Sequence, residues 1–187
     1  MAHHVGNFSR CPIYWRHILG VEMILVTVGS QKFQFDRLIA AADAMAAESS
    51  TGSGVFIQLG TSAYIPKNAE WSAFLDRETY RQKLDQADLV VTHGGTGAIV
   101  GAVKKGKKVV AIPRLHQYGE HVDDHQVEIV KCFSEMGLIE PCFDVNNLAS
   151  CCARAIERKY RVYESNTCRY VDELSEYIRG NIGWENE

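Results

Sequence analysis

At 187 residues, 46% of them hydrophobic and 23% charged, the chain has the length for one globular domain with a full core of its own. A formal net charge of −3 excludes a broad electrostatic grip on nucleic acid, and no run reaches the roughly 20 apolar residues of a membrane span. The six cysteines (Cys11, Cys132, Cys142, Cys151, Cys152 and Cys168) show no metal-ligand spacing and follow no secretory signal, so they read as reduced cytosolic thiols.

Residues 1–22 lack the apolar core of a signal peptide and precede Met23, which opens a strong strand. They are expected to be an upstream extension outside the core, leaving residues 23–187 as a single domain. Met23–Val28 is short, apolar and β-branched, and predicts a buried strand ending at Gly29-Ser30. Phe35, Leu38, Ile39, Ala42, Met45 and Ala46 then recur at helical spacing as far as about Glu48. A Ser/Gly turn over Ser49–Gly54 leads to a second strand, Val55–Leu59. Tyr64–Asn68 reads as loop, Trp71–Leu75 as a short strand, and Asp76 as the cap of a helix over Arg77–Gln86.

Asp88–Thr92 predicts the next strand, Thr96–Lys105 a helix, and Lys108–Ile112 a strand closed by Pro113. Asp123–Glu135 is helical, Leu138-Ile139 a last short strand, and Asn146 or Asn147 caps a helix to about Ile156. A final helix over Thr167–Arg179 gathers Tyr170, Val171, Leu174, Tyr177 and Ile178 on one face. Strands alternating with helices imply an α/β fold with a doubly wound, mainly parallel sheet. Ligands of such sheets bind beyond the carboxyl ends of the strands.

His93-Gly94-Gly95-Thr96-Gly97 joins a strand directly to a helix. Backbone N–H groups there point one way, at the positive end of a helix dipole, which makes an anion site. Gly29-Ser30-Gln31 ends the first strand and would lie beside that loop, so two loops would converge on one anion. Two neighbouring motifs fail on inspection. Gly95-Thr96-Gly97 with Gly101 misses the dinucleotide fingerprint by one residue and has no ribose carboxylate after the next strand. Gly101–Lys108 mimics a phosphate loop by count but lacks the final Ser or Thr, and it joins a helix to a strand in the wrong order.

His121 and His125 stand four apart with Asp123 and Asp124 between them, a spacing that can hold a metal on a helix. No Glu follows the first His, and the pair falls at a helix start. Polar capping and substrate hydrogen bonding account for these side chains, so no metal is expected.

The order VTVGSQ, SAFLD, ADLVVTHGGTG, a strand ending in Pro113-Arg114, then YGEHVDDHQ resembles glycosyltransferase family 28 over about Met23 to Leu138. The likeness is to its donor-binding half as a separate polypeptide: the PssE-type subunits of exopolysaccharide glycosyltransferases. It is also similar to the soluble subunit of the two-part enzyme that adds the second GlcNAc to dolichol-linked glycan. The resemblance implies a Rossmann-like lobe of a GT-B glycosyltransferase that binds a UDP-sugar, with no cofactor beyond that donor.

By the same resemblance, Gly29, Ser30 and Gln31 would contact the pyrophosphate. Phe74 and Leu75 would lie at the uracil side, and His93, Gly94, Gly95, Thr96 and Gly97 would hold phosphate. Asp124, His125 and Gln126 would address the ribose–sugar end, with His125 the candidate catalytic residue, and Arg114 and Glu120 would also contact the donor. Where MurG-like members carry a ribose-binding Glu, this chain has Gly101, and Glu120 is the expected substitute. The acceptor base would sit in another lobe, so a membrane-anchored PssD-type partner is implied, holding the chain at the inner face of the cell membrane. The alternative is a nucleotide-sugar-binding or accessory subunit without turnover.

Overall fold

The computed structural model describes residues 20–48, 54–165 and 167–182. Its strands are β1 (Ile24–Thr27), β2 (Val55–Gln58), β3 (Glu70–Ser72), β4 (Leu89–His93), β5 (Lys108–Ile112) and β6 (Glu140–Pro141). Its helices are α1 (Asp36–Glu48), α2 (Arg77–Gln86), α3 (Thr96–Lys104), α4 (His125–Glu135), α5 (Leu148–Glu157) and α6 (Thr167–Ile182). The strands pair in the order β3-β2-β1-β4-β5-β6, every pairing parallel. This is the doubly wound α/β sheet that the alternating pattern predicts.

Strand alternation divides the core in two. Ile24, Val26, Leu89, Val91, Val110 and Ile112 face one side, where Phe35 just ahead of α1 packs with Leu38, Ile39 and Ala42 of α1 and Leu148 and Cys152 of α5. Leu25, Val90, Val109 and Ala111 face the other, against Leu84 of α2, Ile99 and Ala102 of α3 and Val130 of α4. A strand covered on both faces must be apolar throughout, which is why the central strands read as continuous runs rather than as alternation.

Several boundaries shift for physical reasons. The last strand is Glu140–Pro141, two residues beyond the expected Leu138-Ile139. Leu138 is taken up in ending α4, its N–H donating to the Phe133 carbonyl. Asn147 stands at the N-cap of α5 as expected, but its side chain makes no capping hydrogen bond. Asp144 instead accepts from the Asn146 N–H and shapes a 3-10 turn over Val145–Asn147. At the other end of the chain, Val21 is part of the buried core, and Asp88 Oδ2 accepts from the Glu22 and Met23 N–H groups at 2.7 and 3.0 Å. Packing therefore begins ahead of Met23. Most of the expected extension (residues 1–19) and the turn residues 49–53 lie outside the described residues.

The crossing from β2 to β3 is held by one buried carboxylate, Asp43 of α1. It accepts from the Lys67, Asn68 and Ala69 N–H groups and from the Tyr64 hydroxyl. Burial alone would raise its pKa, but these donors outweigh burial and hold it below the ordinary 3.8. A depressed carboxylate pKa contributes stability that is present above the unfolded value and lost as pH falls through the folded one. Asp43→Ala should cost about 3 kcal/mol or more at neutral pH, because buried amide donors lose their acceptor. Urea unfolding checks this: the stability of the variant should also fall less steeply than wild type below pH 4, and an unchanged acid slope would sink the assignment.

Candidate functional site

Strand order fixes where a ligand can sit. α1 leaves β1 for one face of the sheet and α3 leaves adjacent β4 for the other, so their loops part above the carboxyl ends of β1 and β4. That parting is the crevice of a doubly wound sheet. The loops bordering it are those of Gly29 and Gly94, the two singled out from the sequence.

The β1–α1 loop is held from beneath by Arg114, which leaves β5 after Pro113. Only 1% exposed, its guanidinium donates through Nη1 to the carbonyls of Phe33, Gln34 and Glu120, at 2.8, 2.8 and 3.2 Å. Nη2 donates to the Val28 carbonyl at 2.6 Å. Burial lowers the Arg114 pKa to about 10, with the Glu120 carboxylate pulling the other way, so the group stays charged at neutral pH. Gln58 braces the same loop from β2, its Nε2 donating to the Gly29 carbonyl at 3.2 Å. Gly29 turns there at φ 78°, a left-handed conformation that glycine adopts without strain.

His93 fills the floor between the two loops. A Cβ at Gly29 would stand 2.8 Å from its Cε1, and one at Gly95 only 2.4 Å from its Nε2. Both glycines make room for this ring. Gly94 serves a different contact, since a Cβ there would meet the Gln126 Cβ at 2.9 Å and the Val130 Cγ2 at 3.0 Å. None of Gly94, Gly95 and Gly97 has a positive φ, so close approach rather than turn geometry accounts for the first two. Gly97 is exposed and a Cβ there would meet nothing. α3 is N-capped by Gly95 with no side-chain cap, leaving the Thr96 and Gly97 N–H groups to the crevice, while Ala98 and Ile99 donate to the Gly95 carbonyl.

Three residues expected at the ligand work differently in the structure. Arg114 spends both terminal nitrogens on loop carbonyls, with its Nε buried and unpartnered, and positions the crevice instead of lining it. Glu120, expected to bind ribose, is 1% exposed and chelated by Arg37: Nε to Oε1 at 2.6 Å and Nη2 to Oε2 at 2.9 Å. Its Oε2 also accepts from the Leu115 N–H, so the carboxylate is consumed by the fold. Gln126 is buried, and its Oε1 accepts from the Arg114 N–H at 3.1 Å. Sequence shows a charge or an amide but not the direction in which it points. Arg37 and Thr27 were missed for the same reason. The Thr27 hydroxyl bonds Gln58 Oε1, and Arg37 reads as one more polar residue on an amphipathic helix.

Ser30, Gln31, Thr96, Phe74, Asp124 and His125 are exposed, and Leu75 is half-buried. The side chain of Asp124 does not cap α4. Its Oδ1 accepts from the His116 N–H at 2.7 Å, while Asp123 takes the His125 N–H. Asp123 Oδ1 also meets Nδ1 of His121 at 3.2 Å and Nδ1 of His125. The basic run beyond α3 lies at the opposite end of the sheet and serves the fold. Lys105 pairs with Asp85, and Lys107 donates to the carbonyls of Asp85 and Ala87.

Comparison with known proteins agrees with this geometry. The family described as glycosyltransferase family 28 C-terminal domain matches residues 23–178. The chain belongs to that family. Over 131 residues it is 30% identical to the UDP-N-acetylglucosamine transferase subunit ALG13 of Mus musculus and 28% identical to that of Homo sapiens. These matches cover 65% of the chain, which spans only 11% of either relative.

Among solved structures the calicheamicin glycosyltransferase CalG4 is similar in fold (TM-score 0.59, 19% identity, 88% of this chain and 45% of that one). So is MurG of Acinetobacter baumannii (TM-score 0.53, 17% identity, 83% and 50%). An NMR structure of ALG13 superposes at TM-score 0.55 with 16% identity over 82% of this chain and 94% of that one. The family 28 domain here is thus one lobe of the GT-B fold.

Burial first, then the nearby Arg114 charge, hold the His93 pKa at about 4 against an ordinary 6.5. The unfolded chain then binds more protons between these values, so stability falls as pH drops from 6.5 towards 4, by an amount on the order of 3 kcal/mol. NMR of the ring Cε1–H should show His93 flat from pH 8 to about pH 5. An inflection near 6.5 would mean that the ring is not held neutral between the loops.

Proposed function

We propose that this domain is the donor-binding subunit of a two-component glycosyltransferase that moves a hexose or hexuronic acid from a UDP-sugar to a lipid-linked acceptor in polysaccharide biosynthesis. The observation that carries the reading is the uncapped start of α3, facing a braced glycine loop across the switch point. Ser30, Gln31, Thr96 and Gly97 take the diphosphate at that opening. Phe74 and Leu75, beyond β3 on the same carboxyl edge, take the base side, and Asp124 and His125 the sugar side. Gly29, Gly94, Gly95, His93, Arg114, Glu120 and Gln126 shape the opening.

The chemistry follows from where charge develops. The acceptor oxygen attacks the anomeric carbon with inversion, the bond from that carbon to the diphosphate oxygen breaks, and the electron pair leaves on UDP. Fixed N–H dipoles at α3 are worth more to the departing diphosphate than to the bound donor, which lowers the barrier without a metal at the phosphates. The proton of the acceptor hydroxyl goes to a general base, which we assign to the partner lobe.

The partner contact that we assign is α6. Val171, Leu174, Tyr177 and Ile178 are 50%, 43%, 65% and 38% exposed, so this apolar face is open to a partner. The side chain of Tyr170 lies outside the described residues. Among the described residues no helix is long and apolar enough to cross a membrane, so recruitment would fall to a membrane-anchored subunit of the PssD type.

UDP and UDP-sugars should raise the melting temperature in the presence of a chelator. At 100 times the dissociation constant the gain is about 2.7 kcal/mol. Gly97→Val should melt as wild type does, since its Cβ has open space, yet lose this shift. Retained UDP affinity in that variant would move the phosphates elsewhere.

Co-expressed with a membrane-anchored partner, the wild-type chain should sediment with membranes and hydrolyse or transfer UDP-sugar. Leu174→Asp with Ile178→Asp should leave it in the supernatant with UDP binding intact. Transfer to a lipid acceptor by the chain alone would overturn the two-subunit reading.

A further inference from the structure

We propose that His121, Asp123 and His125 form a binding site for a divalent transition-metal ion of the zinc class, on the loop that leads into α4. The sequence offers a spacing that can hold a metal on a helix, but the pair falls at a helix start and no Glu follows the first His. The folded loop supplies what the spacing lacks. One ligand atom from each of the three side chains lies within 4.8 Å of the other two. His121 Nδ1 and Asp123 Oδ1 are 3.2 Å apart, and His125 Nδ1 meets the same oxygen. Ligands bound tetrahedrally at about 2.0–2.1 Å stand roughly 3.3 Å from one another, a spacing that His121 and Asp123 already have.

The three groups are also held in place before any ion arrives. The His121 side chain is 10% exposed and packs on the Phe33 ring at 5.3 Å, and the two imidazoles meet edge to face at 4.7 Å. Asp123 is fixed by the His125 N–H. On the near side of the loop, Glu120 and Asp124 anchor the chain through the N–H groups of Leu115 and His116. Two imidazoles and one carboxylate make an N2O donor set, which suits Zn²⁺, Co²⁺ or Ni²⁺ rather than Mg²⁺ or Ca²⁺. Three protein ligands leave a coordination position open to water or to a ligand oxygen. The site lies on a different segment from the diphosphate loops, so it adds to their N–H donors and replaces none of them.

Co²⁺ titration of the full chain tests this, with His3→Ala and His4→Ala in every sample to remove a competing imidazole pair. The absorption should saturate at one equivalent, with visible ligand-field bands of nitrogen and oxygen ligation and no thiolate-to-cobalt charge transfer. His121→Ala and Asp123→Asn should each weaken binding at least about tenfold while melting within a few degrees of the parent. The proposal is overturned if the parent chain binds no cobalt. Unchanged affinity in His121→Ala, or a thiolate band placing the ion on cysteine, would overturn it as well. The titration contains no nucleotide, so its failure and a failure of the donor reading are separate results.

Discussion

A single buried cation sets the shape of the crevice. Taking a guanidinium out of water costs several kcal/mol even after relaxation. Here four carbonyls from three segments receive it, and hydrogen bonds to a charged group contribute about 1.5–3 kcal/mol each. The sum offsets the desolvation. It also ties the β1–α1 loop to the end of β5, two strands away. The Phe35 ring lies under the guanidinium at 4.9 Å, so the charge sits on an aromatic face as well. Had a lysine stood at 114, three donors on a flexible stem could not have bridged the same carbonyls.

That clamp explains features which otherwise look independent. Burial, seconded by the fixed positive charge beneath the loops, keeps His93 neutral, and a neutral ring can pack against Gly29 and Gly95 without an anion of its own. Glu120 and Arg37 then complete the circuit: the carboxylate helps hold Arg114 in its charged form while its oxygens are closed by Arg37 and the Leu115 N–H. The crevice is rigid where it must be and polar where it opens. Donors positioned before a charge develops cost no reorganisation when it does.

How much of this was legible in the sequence depended on the kind of signal. β1, β4 and β5 are buried on both faces and announce themselves as apolar runs, and Asp76 caps α2 as its position predicts. The glycine loops were legible because few other roles demand glycines between a strand and a helix. β6 was not, because Glu140 reads as a surface residue. In the structure it is 5% exposed and neutralised by Arg154 at 2.6 Å and Arg158 at 3.5 Å, partners that no local pattern reveals. The same blindness to direction placed Arg114, Glu120 and Gln126 at the ligand when they face inward. Asp43 was overlooked altogether, as one polar residue in a helical stretch whose donors lie more than 20 positions away.

The division between what is packed and what is left open bears on how such a lobe can exist as a folding unit. Both faces of the sheet are covered by the chain's own helices, so no apolar face of β1, β4 or β5 waits for a second lobe. Two exposed surfaces differ in kind. One is the rim of the crevice, where Ser30, Gln31 and Thr96 are exposed. The other is the apolar face of α6, which keeps large side chains exposed. On the proposed reading, fold stability and partner contact rest on separate parts of the molecule. A partner that engaged α6 would leave the Arg114 clamp undisturbed, because the chain's own residues set the geometry of the crevice.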